Sequence, residues 1–229
     1  LNEIEMRTIS GVIFDFNGTL FWDTHYHDLA WDHFLNDHHL RLSNEEKHLT
    51  IHGKTNQDIF RFLFGQGLTN EKMGKMIQEK EKIYRNLCFN GSMTLAPGAE
   101  PLLDWLKKEG VPMTIATASG WENLSFYLEN LPLQNWFLQE KIVFNDGSFV
   151  GKPQPDIFIK AASNLDVPVE QIMIFEDSAM GILAAENAGV KKICIVKSNE
   201  DDYSHYRHDV IKDFSEVDRA LFIDKIQHN

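Results

Sequence analysis

Short apolar, β-rich runs, each trailed by a helix-forming stretch, recur along this chain and leave few folds open to it. Thr8–Phe16 reads Thr-Ile-Ser-Gly-Val-Ile-Phe-Asp-Phe and stops at Asn17-Gly18, a turn signal. Pro112–Thr117, Lys141–Phe144, Ile172–Phe175 and Lys192–Val196 repeat the pattern, with a weaker run at Asp209–Phe214. These runs are nearly continuous in apolar residues. Strands that alternate have one wet face, whereas continuous runs belong to strands covered on both faces, as in parallel sheets. Helical segments fall between them, at Ala99–Glu109, Glu122–Asn130, Pro155–Leu165, Ala179–Ala188 and Glu216–Ile226. In the first of these, Leu102, Leu103 and Leu106 share one face and Gly110 supplies a stop. The alternation predicts an α/β fold with a doubly wound, Rossmann-like parallel sheet.

One stretch departs from the alternation. Residues 22–95 contain no good strand, and read instead as helices over Thr24–His38, Asn44–His52, Asn56–Phe64 and Asn70–Leu87. Loop composition separates them at residues 36–39, 65–67 and 90–92. This pattern predicts an inserted α-helical cap domain over residues 22–95, with the core built from 1–21 and 96–229. The connections near Phe21–Asp23 and Leu95–Gly98 would be its hinges, and Phe60, Phe62 and Phe64 would pack its interior.

Charge narrows the choice of partner. Lys and Arg total 22 against 34 Asp and Glu, a net −12. Nucleic acids and anionic membranes are polyanions, so neither is an expected partner, whereas a local pocket can still take a small anion. The two cysteines, Cys88 and Cys194, form no CxxC pair and read as reduced, buried thiols. Residues 1–10 carry three charges and no long apolar block, unlike a signal peptide. No apolar run approaches the roughly 20 residues that span a bilayer. The expectation is a soluble, cytoplasmic monomer.

In open α/β sheets, ligands bind beyond the carboxyl ends of the strands. Those ends carry Asp15-Phe16-Asn17-Gly18-Thr19, Thr117-Ala118-Ser119-Gly120, Gly151-Lys152-Pro153 and Glu176-Asp177-Ser178. Taken singly, each has an ordinary structural reading. Asn17-Gly18 can be a plain turn, Thr117 a helix cap, and Glu176-Asp177 a solvated loop with a capping residue. Taken together they bring a carboxylate, a hydroxyl, an ammonium and an acid pair to one crevice. That inventory suits a divalent cation with a phosphate, because hard cations take oxygen ligands and phosphate charge needs cations and hydroxyls.

Asp15-Phe16-Asn17-Gly18-Thr19-Leu20, Thr117, Lys152-Pro153 and Glu176-Asp177-Ser178-Ala179-Met180-Gly181-Ile182 resemble the four motifs of the haloacid dehalogenase superfamily, in that family's order. Lys152–Phe158 and Ala184–Gly189 are similar to its β-phosphoglucomutase-like and phosphoglycolate phosphatase-like branch, whose small helical cap the insert also resembles. The resemblance implies a Mg²⁺-dependent phosphatase acting on a small phosphorylated metabolite, foremost a sugar phosphate. A phosphomutase and a slow or non-catalytic phosphate-ligand-binding protein are the alternatives. It implies that Asp15 attacks phosphorus to give an aspartyl phosphate. Mg²⁺ would be held by Asp15, the Asn17 main-chain carbonyl and Asp177, with Glu176 assisting directly or through water. Thr117 and Lys152 would hold the phosphoryl group, with Ala118 and Ser119 beside them. In the cap, His52-Gly53-Lys54-Thr55-Asn56 resembles the branch's substrate-contacting loop. There Gly53 would allow close backbone approach, and Lys54 or Asn56 would supply donors. Lys80 and His27 match a cap lysine and a cap-hinge histidine of that branch. Solvated helix surface is an equal reading of Lys54 and Lys80. A cap of this kind closes over the core and excludes water.

Asn17 departs from the family pattern, in which a second Asp protonates the leaving oxygen and later activates water. An amide has no such proton to exchange at neutral pH. The metal site tolerates the change, because there the backbone carbonyl is the ligand. One reading is that another group stands in, and His25, His27 and Asp23 are near in sequence. The remaining readings are a substitution introduced to trap a complex, a protein that has lost turnover, and a reaction such as dehalogenation or phosphonate hydrolysis.

Overall fold

The computed structural model describes residues 9–51 and 56–222. Five parallel strands form one sheet: β1 (Gly11–Phe14), β2 (Met113–Ile115), β3 (Ile172–Glu176), β4 (Lys192–Val196) and β5 (Asp209–Ile211). Their order across the sheet is β2-β1-β3-β4-β5. The chain steps outward from β1 to β2, then returns to the other side of β1 with β3. The order therefore reverses between β1 and β3, and a crevice for ligands opens there at the carboxyl ends.

Four helices form a unit of their own over Asp23–Met93: α1 (Thr24–Asp37), α2 (Asn44–Thr50), α3 (Asn56–Phe64) and α4 (Asn70–Asn90). Ser43 caps α2 in a reciprocal box with Glu46, and Thr69 caps α4 by accepting from the Lys72 amide. Trp31, Phe34 and Leu35 of α1 pack with Ile59 and Phe60 of α3 and Met73 and Met76 of α4. Phe34 meets Phe60 edge-on with ring centroids 5.2 Å apart. Phe62 breaks the expectation for its neighbours, because it lies on the opposite face of α3 and is 63% exposed.

The second unit contains the sheet and its helices α5 (Ala99–Lys108), α6 (Trp121–Asn130), α7 (Asp156–Leu165) and α8 (Ala179–Ala188). Strand residues alternate between its two faces. Ile13, Ile172 and Ile174 pack with Ile157, Phe158 and Ala161 of α7 and Ala184 and Ala185 of α8. The opposite face is aromatic. Phe14 stacks on Phe175 at 5.1 Å, and Phe137 and Phe214 close around it.

Two sequence expectations are corrected. Lys141–Phe144 is no strand of the sheet; it makes a single parallel bridge, Ala116 to Val143, beside β2. Residues 139–141 turn as a 3-10 helix immediately before it, which leaves room for that bridge alone. The α-helix expected over Glu216–Ile226 is replaced, as far as Phe222, by 3-10 turns at Phe214–Glu216 and Arg219–Phe222. Local acceptors compete with the helix there: Asp213 takes the Ser215 amide, Asp218 the Ala220 amide and Glu216 the Lys212 amide. Residues 223–226 lie outside the described residues, as do Gly53 and Lys54 of the expected substrate loop.

Phe14 is fully buried at the centre of the aromatic face. Phe14→Ala should therefore destabilise the protein by about 3–5 kcal/mol in urea unfolding, through lost transfer energy and the cavity left behind.

Candidate active site

Strand β1 ends at Phe14, and the Asp15 amide still bonds the Phe175 carbonyl of β3 at 3.0 Å. Asp15 is thereby held at the switch point. The chain then turns sharply. Gly18 has φ +79° and donates its amide to the Phe21 carbonyl, while the Phe21 amide returns to Phe16. Only glycine suits this place, because φ is positive and a Cβ would also collide with the Asp177 carboxylate.

Strand β3 delivers the acid pair. Glu176 is its last residue and is fully buried. One oxygen of its carboxylate accepts from the amides of Asp177 and Ser178, each at 2.7 Å, and from the Ser178 hydroxyl at 3.1 Å. Ser178 in turn caps α8 by accepting from the Gly181 amide. A side chain at 181 would overlap the Glu176 carboxylate, so the helix start and the acid require each other. The Asp177 carboxylate accepts from the Thr19 hydroxyl at 3.0 Å.

Lys152 joins the two strand ends. Its ammonium lies 2.5 Å from Asp15 Oδ1 and 2.5 Å from Glu176 Oε1. Burial pulls the Lys152 ammonium down, but the two carboxylates outweigh it and hold the group above its ordinary value. One cation does not balance three acids. Burial pushes the Asp15 carboxyl up to about 7, with Lys152 opposing and Glu176 adding to the rise. Burial, then Glu176 and Asp15, push Asp177 well above the usual carboxylate range. Ligand oxygens of Asp15, Glu176 and Asp177 all lie within 4.8 Å of one another. Three clustered hard oxygen donors with surplus negative charge fit a divalent cation such as Mg²⁺.

A second group of side chains gathers on Asn17. Its Oδ1 accepts from the Thr117 hydroxyl at 3.1 Å and the Ser119 hydroxyl at 2.8 Å. Its Nδ2 donates to the Tyr127 hydroxyl at 2.8 Å. Thr117 is placed by the single bridge beside β2, through its amide to the Val143 carbonyl. Ala118 is exposed in the same turn.

The helical unit holds its polar candidates in a cluster of its own. Lys80 is not a solvated surface residue. It is only 2% exposed and donates to His27 Nδ1 and Glu81 Oε1, each at 3.0 Å. Its ammonium also lies 5.1 Å from the Trp31 ring centroid. Residue spacing alone cannot reveal this burial, because Trp31 and His27 come from another helix. Asn56 donates to the same Glu81 oxygen. His27 stacks on Tyr84 at 3.9 Å and lies 3.4 Å from Asp23, which also accepts from the Tyr84 hydroxyl. His25 packs on Tyr26.

Sequence reading missed three supporting residues. Thr19 was legible as part of the first motif but had no assigned partner. Tyr127 and Tyr203 carried no signal, since each arrives from a distant segment. The Tyr203 hydroxyl reaches the Asp177 carbonyl at 2.6 Å and Asn199 Oδ1 at 3.0 Å. Burial and the nearby Asp177 raise its phenol above the ordinary value, which keeps it a proton donor. Cys88 and Cys194 are free and buried. Among the described residues no helix is long and apolar enough to cross a membrane.

Comparison with known proteins matches the family described as haloacid dehalogenase-like hydrolase over residues 12–195. The chain is 29% identical to the phosphorylated carbohydrates phosphatase of Thermotoga maritima over 116 residues, 51% of this chain and 50% of that one. The chain thus spans about half the length of that relative. It is 29% identical to the β-phosphoglucomutase of Bacillus subtilis over 197 residues, covering 80% of this chain and 81% of that one. Among solved structures, a HAD hydrolase of family IA, variant 3, from Entamoeba histolytica superposes with a TM-score of 0.87 at 33% identity. That match covers 94% of this chain and 98% of the other.

The raised Asp15 carboxyl has a pH consequence. Between 3.8, its unfolded value, and about 7 the folded protein binds the extra proton, so this contribution to stability is lost as pH rises through that window. In EDTA, urea unfolding of the wild type against Asp15→Asn should show the difference moving against the wild type from about pH 4 to 7.

Proposed function

Because this chain belongs to the haloacid dehalogenase-like hydrolase family, we propose that it is a Mg²⁺-dependent phosphatase of small phosphate esters, with sugar phosphates the foremost class. The observation that carries the reading is the buried Asp15–Lys152–Glu176 arrangement, with Asp177 beside it, at the crevice between β1 and β3. Relatives named as a phosphorylated carbohydrates phosphatase and a β-phosphoglucomutase support the substrate class.

In this reading an Asp15 oxygen forms a bond to phosphorus as the ester oxygen leaves, giving an aspartyl phosphate. Phosphoryl transfer depends chiefly on positioning and charge neutralisation. Lys152, held between Asp15 and Glu176, offsets charge on the transferring group, and the hydroxyls of Thr117 and Ser119 turn from Asn17 to its oxygens. Asp15, Asp177, Glu176 and the Asn17 carbonyl would hold Mg²⁺, which would supply electrostatic stabilisation of the phosphoryl oxygens. Water then attacks phosphorus and gives up a proton to solvent, Asp15 leaves as the carboxylate, and the departed ester oxygen takes a proton from solvent. His27, Asn56 and Lys80 carry substrate recognition.

Asn17 supports a second reading, a slow enzyme or a protein that holds a phosphorylated ligand without turnover. Its amide donates to Tyr127 and offers no acid to the leaving oxygen. General acid–base assistance contributes about 10²–10⁴-fold.

Phosphate release from p-nitrophenyl phosphate and a panel of sugar phosphates with Mg²⁺ tests both readings. Asn17→Asp should raise kcat by about 10²–10⁴-fold, while Asp15→Ala and EDTA should abolish release. Efficient turnover by the wild type with no gain in Asn17→Asp would instead assign the proton transfer to His27 or Asp23. Sugar-phosphate isomerisation without free phosphate would mark a mutase. No turnover by either protein would overturn the phosphatase reading.

A further inference from the structure

The peptide unit joining Asp177 to Ser178 is clamped at both ends. Its N–H, on Ser178, donates to Glu176 Oε2 at 2.7 Å. Its carbonyl, on Asp177, accepts from the Tyr203 hydroxyl at 2.6 Å. Fixing that plane fixes ψ at Asp177, and with the Asp177 amide also tied to Glu176 at 2.7 Å, the direction of its side chain follows. The carboxylate itself accepts from the Thr19 hydroxyl.

Tyr203 is built for this task rather than placed by chance. Its ring is 6% exposed and packs with Ile182 of α8 and Ile195 of β4. α8 follows the turn that carries Asp177, and β4 pairs with β3, the strand that leads into it. The phenol has one proton and two acceptors within reach, the Asp177 carbonyl at 2.6 Å and Asn199 Oδ1 at 3.0 Å. The shorter bond takes the proton. Asn199 Oδ1 is independently engaged by the Asp201 amide at 2.8 Å, which holds the loop after β4 in place.

We propose that Tyr203 is a positioning residue for divalent-cation binding: its hydroxyl, acting through the Asp177 carbonyl, aims the Asp177 carboxylate at the site shared with Asp15 and Glu176. The inference rests on the reading of that acidic cluster as a cation site. Groups behind the ligands of a metal typically change its affinity by about 10–100-fold when removed.

Isothermal titration of the metal-stripped full chain with Mg²⁺ tests it without any substrate. Wild type should bind saturably, and Asp177→Asn should lose binding. Tyr203→Phe keeps the ring and removes only the hydroxyl, so Kd should rise about 10–100-fold. Asn199→Ala hands the phenol proton wholly to the Asp177 carbonyl, so its Kd should stay at or below that of wild type. A merely structural role for Tyr203 would lower the thermal midpoint in EDTA and leave Kd alone. Unchanged Kd in Tyr203→Phe, or a tenfold rise in Asn199→Ala, would overturn the inference while leaving the cation site standing. Absence of saturable binding by the wild type would overturn both.

Discussion

The Lys152 ammonium, 2.5 Å from carboxylates at the ends of two neighbouring strands, is the contact on which this site depends. Burying Asp15 and Glu176 side by side is unfavourable without a cation between them. The ammonium answers part of that charge and is itself kept protonated by it. The rest of the local structure serves the same end. Three donors converge on one Glu176 oxygen, and the glycine at 181 leaves room for that carboxylate at the start of a helix. The charge still unanswered falls on Asp15 and Asp177, whose carboxyls are both raised. A site with this imbalance is prepared for a cation and unstable in its ionised form without one.

Much of the core fold was legible because parallel strands buried on both faces leave unbroken apolar runs, and five of the six strand-like runs contain a strand of the sheet. The failures came from tertiary competition. Val143 has β propensity but only one bridging position beside β2. The segment after β5 has helical periodicity, yet Asp213, Glu216 and Asp218 cap nearby amides and break it into short turns. In the site, Asp15, Glu176, Asp177 and Thr117 could be singled out because they stand at or just past the ends of β1, β3 and β2, whereas the segment before Lys152 makes one bridge and is no strand. Tyr127 and Tyr203 could not, since each acts through one hydroxyl brought in from a remote segment. Lys80 shows the same limit from the other side: an ordinary helix lysine by its spacing, it is buried against Trp31 and His27.

Asn17 is integrated rather than merely tolerated. Two hydroxyl donors meet its oxygen and a hydroxyl acceptor meets its nitrogen, so both ends of the amide are matched. A carboxylate could replace it without loss of partners, because the Tyr127 hydroxyl can donate as readily as accept. Packing therefore does not distinguish Asp from Asn at this position; in the proposed mechanism, proton transfer would.

The turn after β1 has a consequence for how this protein could have been assembled. The Ala96 amide bonds the Leu20 carbonyl at 2.8 Å, so the chain leaving the sheet unit and the chain returning to it are tied side by side. Domain insertions are accepted where entry and exit lie close together, since the host then senses only a closed loop. A folded segment can therefore be accommodated between Phe21 and Leu95 without parting Leu20 from Ala96. One catalytic scaffold could in this way be refitted for new ligands by swapping a cassette, with no change to a strand.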